Sequence, residues 1–196
     1  MLVGASSALI VRLLVGGTAR IDFEILFATI VLIGPVEWVL HKFLLHAAED
    51  SFQMRRLGTG IGHRQHHLTP GDLNFVLLGG IDAALFLVLI AAWTAIWTLP
   101  FILWAGGAVL GPYLTGLTAA FLALVHYEWV HMLVHTRVRL KNRFYKRLAA
   151  NHRLHHFRNE NYWLGVTANS GDRVLRTYPK TKGDVPLSPT ARSLTP

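Results

Sequence analysis

Histidine dominates the chemistry this chain can offer. Eleven are present, all between residues 41 and 156. Ten fall into four groups: His41 and His46; His63, His66 and His67; His131 and His135; His152, His155 and His156. Two groups share the spacing HxxHH. On a helix, positions i, i+3 and i+4 lie on one face, so this spacing is expected to aim three imidazoles at one point. His131 and His135, an i, i+4 pair, do the same. His41 and His46 are separated by about 140° on an ideal helix, so they need a distorted helix end or two different metal contacts. Imidazole suits Zn, Cu, Fe and Ni. Ten such ligands exceed what one ion coordinates, so two metals are expected.

Other uses of histidine fit less well. A single histidine ordinarily serves the core or faces solvent, but ten in four groups do not match that use. Haem ligation between helices needs one histidine per helix deep in the bilayer, not triplets at its edge. Metal transport would place polar ligands near the midplane, where Asp82 is the one candidate in the sequence. The chain has no cysteine, which excludes disulfides, zinc ribbons and thiolate catalysis.

The elements that must carry these residues are apolar. Hydrophobic residues make up 52% of the chain, and the mean hydropathy is +0.37. They are bunched into long runs, which points to a bilayer. Three segments are expected to span: residues 23–46, residues 75–98, and a third from beyond Pro100 to 125 that continues as helix to 135. Each holds about 24 residues, or about 36 Å of helix, enough to cross a hydrocarbon core of about 30 Å. Residues 69–72 (TPGD) read as the cap and first turn of the second span. Gly79, Gly80, Gly106, Gly107 and Gly116 read as small residues that let helices approach. Residues 1–22 form an N-terminal apolar segment, interrupted by Arg12 and without a basic leader. It is expected to be interfacial or partly inserted rather than a cleaved signal. Residues 23–178 form the membrane domain, and residues 179–196, rich in Pro, Thr, Ser and Lys, a flexible C-terminal tail.

Charge sets the orientation. The formal net charge is +8. Lys42, Arg55, Arg56 and Arg64 lie between the first two spans. Arg137, Arg139, Lys141, Arg143, Lys146, Arg147, Arg153 and Arg158 follow the third, and residues 98–112 carry no charge. The histidine clusters and the C-terminus therefore belong on the cytosolic side, and no nucleic-acid partner is expected. The fold read from these features is an all-α integral membrane protein, a transmembrane helical bundle with a cytosolic histidine-rich metal-binding cap.

Residues 37–46 (EWVLHKFLLH), 62–67 (GHRQHH), 131–135 (HMLVH) and 152–156 (HRLHH) resemble the histidine boxes of the fatty acid hydroxylase / sterol desaturase superfamily. The likeness covers residues 30–170. Residues 161–167 (NYWLGVT) also resemble the segment that follows the last box. The resemblance implies a non-haem di-iron centre, with Zn able to replace iron in purified protein, and O2 as co-substrate. It also implies a membrane lipid that is hydroxylated or desaturated, with the ten histidines above as ligands. His126 and His131 form an alternative third box, similar to that of short bacterial carotenoid ring hydroxylases. The long stretch between His46 and His63 favours His131 and His135, with His126 behind them or a bystander.

Several further expectations follow. Ligand histidines usually donate their second ring nitrogen to a carboxylate or carbonyl, and Glu37 and Glu128 are spaced to accept. An unactivated C–H bond needs an oxidant that side chains do not supply. The chain shows no flavin or nicotinamide fingerprint, so a separate electron donor, ferredoxin or cytochrome b5-like, is expected. The basic stretch 137–158 serves either to dock it or to contact anionic lipid. Trp38, Tyr127, Trp129 and Trp163 read as interfacial aromatics or as lining of a substrate channel. The function read here is hydroxylation of a fatty acyl C–H bond. The alternatives are a carotenoid or sterol hydroxylase or desaturase of the same superfamily, or a non-catalytic metal-binding or transport protein.

Overall fold

The computed structural model describes residues 1–194, and among these every regular element is helical. The longer helices are α1 (Leu2–Val15), α2 (Arg20–Leu40), α3 (Ile61–Leu68), α4 (Gly80–Trp104), α5 (Leu110–His135) and α6 (Arg143–Phe157), followed by the short α7 (Ser170–Val174). Three stretches are long and apolar enough to cross a membrane: Arg20–Leu45, Leu73–Trp104 and Leu110–His135. Their outward positions are apolar, as a lipid-facing surface requires: Phe23, Phe27 and Ile30 on α2, Val88 and Ile96 on α4, and Leu122 on α5 are all exposed. α1, at 14 residues, spans about 21 Å and is too short to cross.

The second span starts close to the expected position, but its regular helix, α4, opens only at Gly80. Residues 69–72 do not open it. Asp72 instead caps a separate 3-10 turn, Leu73–Phe75, by accepting from the Asn74 N–H at 3.0 Å, and α4 starts at Gly80, whose φ is +54°. Pro100 sits inside α4 rather than ending it, because a neighbouring apolar run continues the helix in a setting where exposed backbone would be costly. Of the five glycines expected to let helices approach, only Gly116 does so. A Cβ there would lie 3.0 Å from Ile25 and 3.2 Å from Thr94, whereas Gly79, Gly80, Gly106 and Gly107 have open space around that position and serve the turns.

The chain divides into two compact units. The first comprises Met1–Ile33 and Ala83–His126. Its buried polar centre joins three elements: the Arg12 guanidinium donates to Thr115 at 2.7 Å and pairs with Asp22 at 2.9 Å, and the Thr115 hydroxyl donates to Asp22 at 2.6 Å. Thr29, Thr94 and Thr98 return their hydroxyl protons to carbonyls one turn back, so apolar helices carry them without loss. The second unit comprises Gly34–Asp82 and the chain from Tyr127 onward, and holds all ten grouped histidines. There α7 approaches α2 closely: a Cβ on Gly171 would fall 2.3 Å from the Gly34 carbonyl oxygen. Composition marks residues 179–196 as a loose tail. Residues 185–194 fold back in this structure, with Val185 and Ala191 buried; the last two residues lie outside those described.

Candidate metal centre

The ten histidines converge into two groups of five. His41, His46, His63, His67 and His155 form the first, and His66, His131, His135, His152 and His156 the second; within each group the ligand atoms all lie within 4.8 Å of one another. Each HxxHH segment is therefore divided, not aimed at one point. On α3, His63 and His67 lie about 40° apart around the axis, whereas His66 falls about 60° to the other side of His63. Thus His63 and His67 face the first group and His66 the second. α6 mirrors this: His152 and His156 face the second group and His155 the first. Each helix contributes to both groups.

His41 and His46 reach one group because the end of α2 widens. Residues His41–Leu45 form a π-turn, closed by the His46 N–H donating to the His41 carbonyl at 3.1 Å. An i→i+5 bond brings the sixth residue back over the first, which the five-residue spacing demands.

Backbone carbonyls set the tautomers. The Nδ1–H groups of four rings donate to loop oxygens: His41 to Leu164 at 2.6 Å, His67 to Ala191 at 2.7 Å, His131 to Val76 at 2.7 Å and His155 to Tyr162 at 2.9 Å. A carbonyl only accepts, so the proton stays on Nδ1 and Nε2 keeps its lone pair. The Nε2 atoms of His67, His131 and His155 are buried without a hydrogen-bond partner. Other ring nitrogens meet edge to edge: His41 and His63 at 3.1 Å, His46 and His63 at 3.2 Å, His66 and His135 at 3.1 Å, His135 and His152 at 2.9 Å. Nitrogens held at about 2.1 Å from one ion at right angles would be about 3.0 Å apart. The spacing fits ligands around a metal better than it fits hydrogen bonds, since the His63 Nε2 meets both His41 and His46 and has at most one proton to give.

Electrostatics agree. Burial, reinforced by neighbouring imidazoles, drives the rings toward the neutral form that binds metals. His66 is pushed down to about 2 and His67 to about 3, and His46, His63, His152, His155 and His156 fall well below the ordinary range.

The carboxylates act one step further out than expected. Glu37 accepts from the backbone N–H groups of Val166 and Thr167 and from the Thr167 hydroxyl. Asp172, which sequence reasoning did not single out, accepts from the Leu164 and Gly165 N–H groups at 2.9 and 2.8 Å. Four consecutive N–H groups, 164–167, are thereby held by two buried carboxylates, and this segment offers its Leu164 carbonyl to His41. Between the Tyr162 and Leu164 carbonyls, Trp163 is buried with φ +52°. A left-handed residue at this position turns both carbonyls toward histidines of the first group, at a cost bulky side chains rarely bear. Glu128 plays the matching part for the second group: it accepts from the Leu78 N–H at 3.1 Å, while Val76 of the same loop accepts from His131. His126 belongs to neither group.

A cavity of about 390 Å³ borders both groups, lined by His63 and His131 together with Ile61, Phe75, Leu77 and Tyr127. Asp82 also lines it and accepts from the Gly60 N–H at 3.0 Å, so this intramembrane acid is partnered. The Tyr127 hydroxyl is buried without a partner.

The profile of the fatty acid hydroxylase family matches residues 26–177. Among solved structures, a chain described as full-length Scs7p with only its hydroxylase domain visible superposes with a TM-score of 0.66 at 24% identity, covering 94% of this chain and 65% of that one. This chain thus spans about two thirds of its neighbour's length, and the likeness speaks to the fold. No curated protein matches.

Proposed function

The chain belongs to the fatty acid hydroxylase family, and from that premise we propose that it is an O2-dependent di-iron membrane oxidase that hydroxylates a C–H bond of a lipid acyl chain. The observation that carries this reading is the pair of five-histidine groups, with the Nε2 atoms of His67, His131 and His155 buried and unpartnered. His41, His46, His63, His67 and His155 would hold one ion, and His66, His131, His135, His152 and His156 the other. A bound iron pair would supply the oxidising power toward O2 that side chains lack.

The protein's own part is positioning. The cavity brings a chain past Phe75 and Leu77 to the rims of both groups at His63 and His131, within the size range of small-molecule sites. The Tyr127 hydroxyl, which has no partner in the protein, would donate to a polar atom of the lipid and so fix which carbon lies nearest the histidines. Electrons would come from a separate ferredoxin or cytochrome b5-like donor. Arg137, Arg139, Lys141, Arg143, Lys146 and Arg147 are exposed and offer it a basic surface. The positive-inside rule puts that surface and the histidines in the cytosol.

The test is a comparison of lipid extracts from cells with and without the chain. A gain of one oxygen atom, abolished by His155→Ala, is expected. A loss of two hydrogens would make the enzyme a desaturase, and an oxygen gain on an isoprenoid or sterol would change the substrate. Unchanged lipids with altered cellular zinc or iron would refute the oxidase in favour of a metal-binding or transport role.

A further inference from the structure

Residues 185–194 lie beyond the family-matched segment, which ends at 177. They nonetheless reach the first histidine group. The Ala191 carbonyl accepts the His67 Nδ1–H at 2.7 Å, and the opposite nitrogen, Nε2, is the buried atom without a partner that joins that group. The next residue, Arg192, donates to the Leu68 carbonyl at 3.1 Å, closing the C-terminal end of α3 immediately after His67. The histidine is thus gripped on its ring and on the backbone that carries it.

The segment is tied down at both ends and in the middle. The Arg158 Nε donates to the Val185 carbonyl at 2.8 Å, and the Ser188 N–H donates to the Arg158 carbonyl at 2.7 Å. The Ser188 and Thr190 hydroxyls donate to one oxygen of Glu160, at 3.1 and 2.6 Å. The Arg64 Nη1 donates to the Ser193 carbonyl at 3.0 Å. Val185 and Ala191 are 1% and 3% exposed, so the carbonyl accepts the His67 Nδ1–H without competition from water. His66, the chain neighbour of His67, faces the second group, and its Nδ1 takes no bond from this segment.

We propose that residues 185–194 are a clamp specific to the first metal site: by pinning the proton of His67 on Nδ1, the Ala191 carbonyl keeps Nε2 a ligand, and without the clamp that site alone loosens. This rests on the reading that the two groups hold metals. Outer hydrogen bonds of this kind are worth about 10–100-fold in metal affinity. Ala191 is a positioning residue, acting through its backbone.

The experiment uses Zn(II) as the probe. The full chain and a chain ending at Leu187 are loaded in detergent, and zinc per chain is followed during exposure to a chelator. The full chain is expected to release about two ions slowly. The shortened chain should release one of them about 10–100-fold faster and the other at the parental rate. Glu160→Ala in the full chain unhooks Ser188 and Thr190 without shortening it, and should accelerate the same single ion. In a His67→Ala background, Glu160→Ala should add nothing. Equal acceleration of both ions, as general loosening would cause, overturns the clamp, as does release at parental rates from both variants. A full chain that binds no zinc or iron overturns the metal reading itself.

Discussion

His66 and His67 are neighbours in the chain, yet they belong to different histidine groups, each proposed above to hold one ion. The substitutions His66→Ala and His67→Ala should therefore each remove one ion, and not the same one. Metal content should fall from about two per chain to about one in either variant. In the double variant it should approach zero, since one ligand is missing from each group of five. The control is His66→Ala with His152→Ala, two residues 86 positions apart that share the second group. Here the second substitution should cost little more metal than the first, because that site is already lost. With free metal at 100 times its Kd, one bound ion contributes about 2.7 kcal/mol. For a chain of this length that is roughly 5–10 °C in Tm. Elemental analysis gives the count and a thermal melt with and without added metal gives the increment. If His66→Ala with His67→Ala retains one ion, or His66→Ala with His152→Ala loses both, the division of each HxxHH helix between two sites is wrong.

Three further outcomes follow from contacts described above. Glu37→Ala leaves the Val166 and Thr167 N–H groups and the Thr167 hydroxyl buried and unpaired, at about 1–3 kcal/mol each; a large fall in Tm together with loss of metal is expected, and an unchanged melt would show that the carboxylate does not hold the 164–167 segment. In the metal-free protein, His66 and His67 stay neutral down to about 2 and 3, while in the unfolded chain they take up protons below about 6.5. The unfolded state then binds more protons, so stability should be full above that pH and fall as pH drops through 6 and 5; a flat Tm from pH 7 to 5 would contradict the burial of these rings. Arg12→Ala leaves the Asp22 carboxylate with the Thr115 and Ala19 donors but without its countercharge, and should cost about 3 kcal/mol, the low end for breaking a buried pair; Arg12→Met with Asp22→Leu should recover most of it, and a silent Arg12→Ala would mean the pair is hydrated.

Much of the site was readable from residue type and spacing. The ten histidines and their four groups are visible in the sequence, the expectation of two metals follows from imidazole chemistry, and the three spans from hydropathy. The five-residue spacing of His41 and His46 left two alternatives, a distorted helix end or two different metal contacts, and the π-turn at His41–Leu45 realises the first. What one sequence does not carry is the third point that each helix face looks at. A 40° or 60° offset decides which ion a histidine meets, and that depends on how α3 and α6 pack. Glu37 and Glu128 were recognised by their distance from a histidine, but a carboxylate beside a loop finds backbone N–H groups as readily as a ring. Asp172 offered only a weak signal, an acid near the start of a short helix. Residues 179–196 read as a loose tail from their polar composition; within them, residues 185–193 meet Arg64, Arg158 and Glu160, partners whose approach composition does not reveal.

The carbonyls that steady the rings come from different places. His41, His155 and His67 rely on Leu164, Tyr162 and Ala191, all downstream of α6. His131 relies on Val76, in the connection between α3 and α4. Changing the tilt of α3 or α6 would disturb both histidine groups together, because each of these two helices serves both. Altering one connecting segment would retune a single ion and leave its companion as it was. The scaffold thereby provides two separate dials for a paired centre, an arrangement that selection or an engineer can turn one at a time.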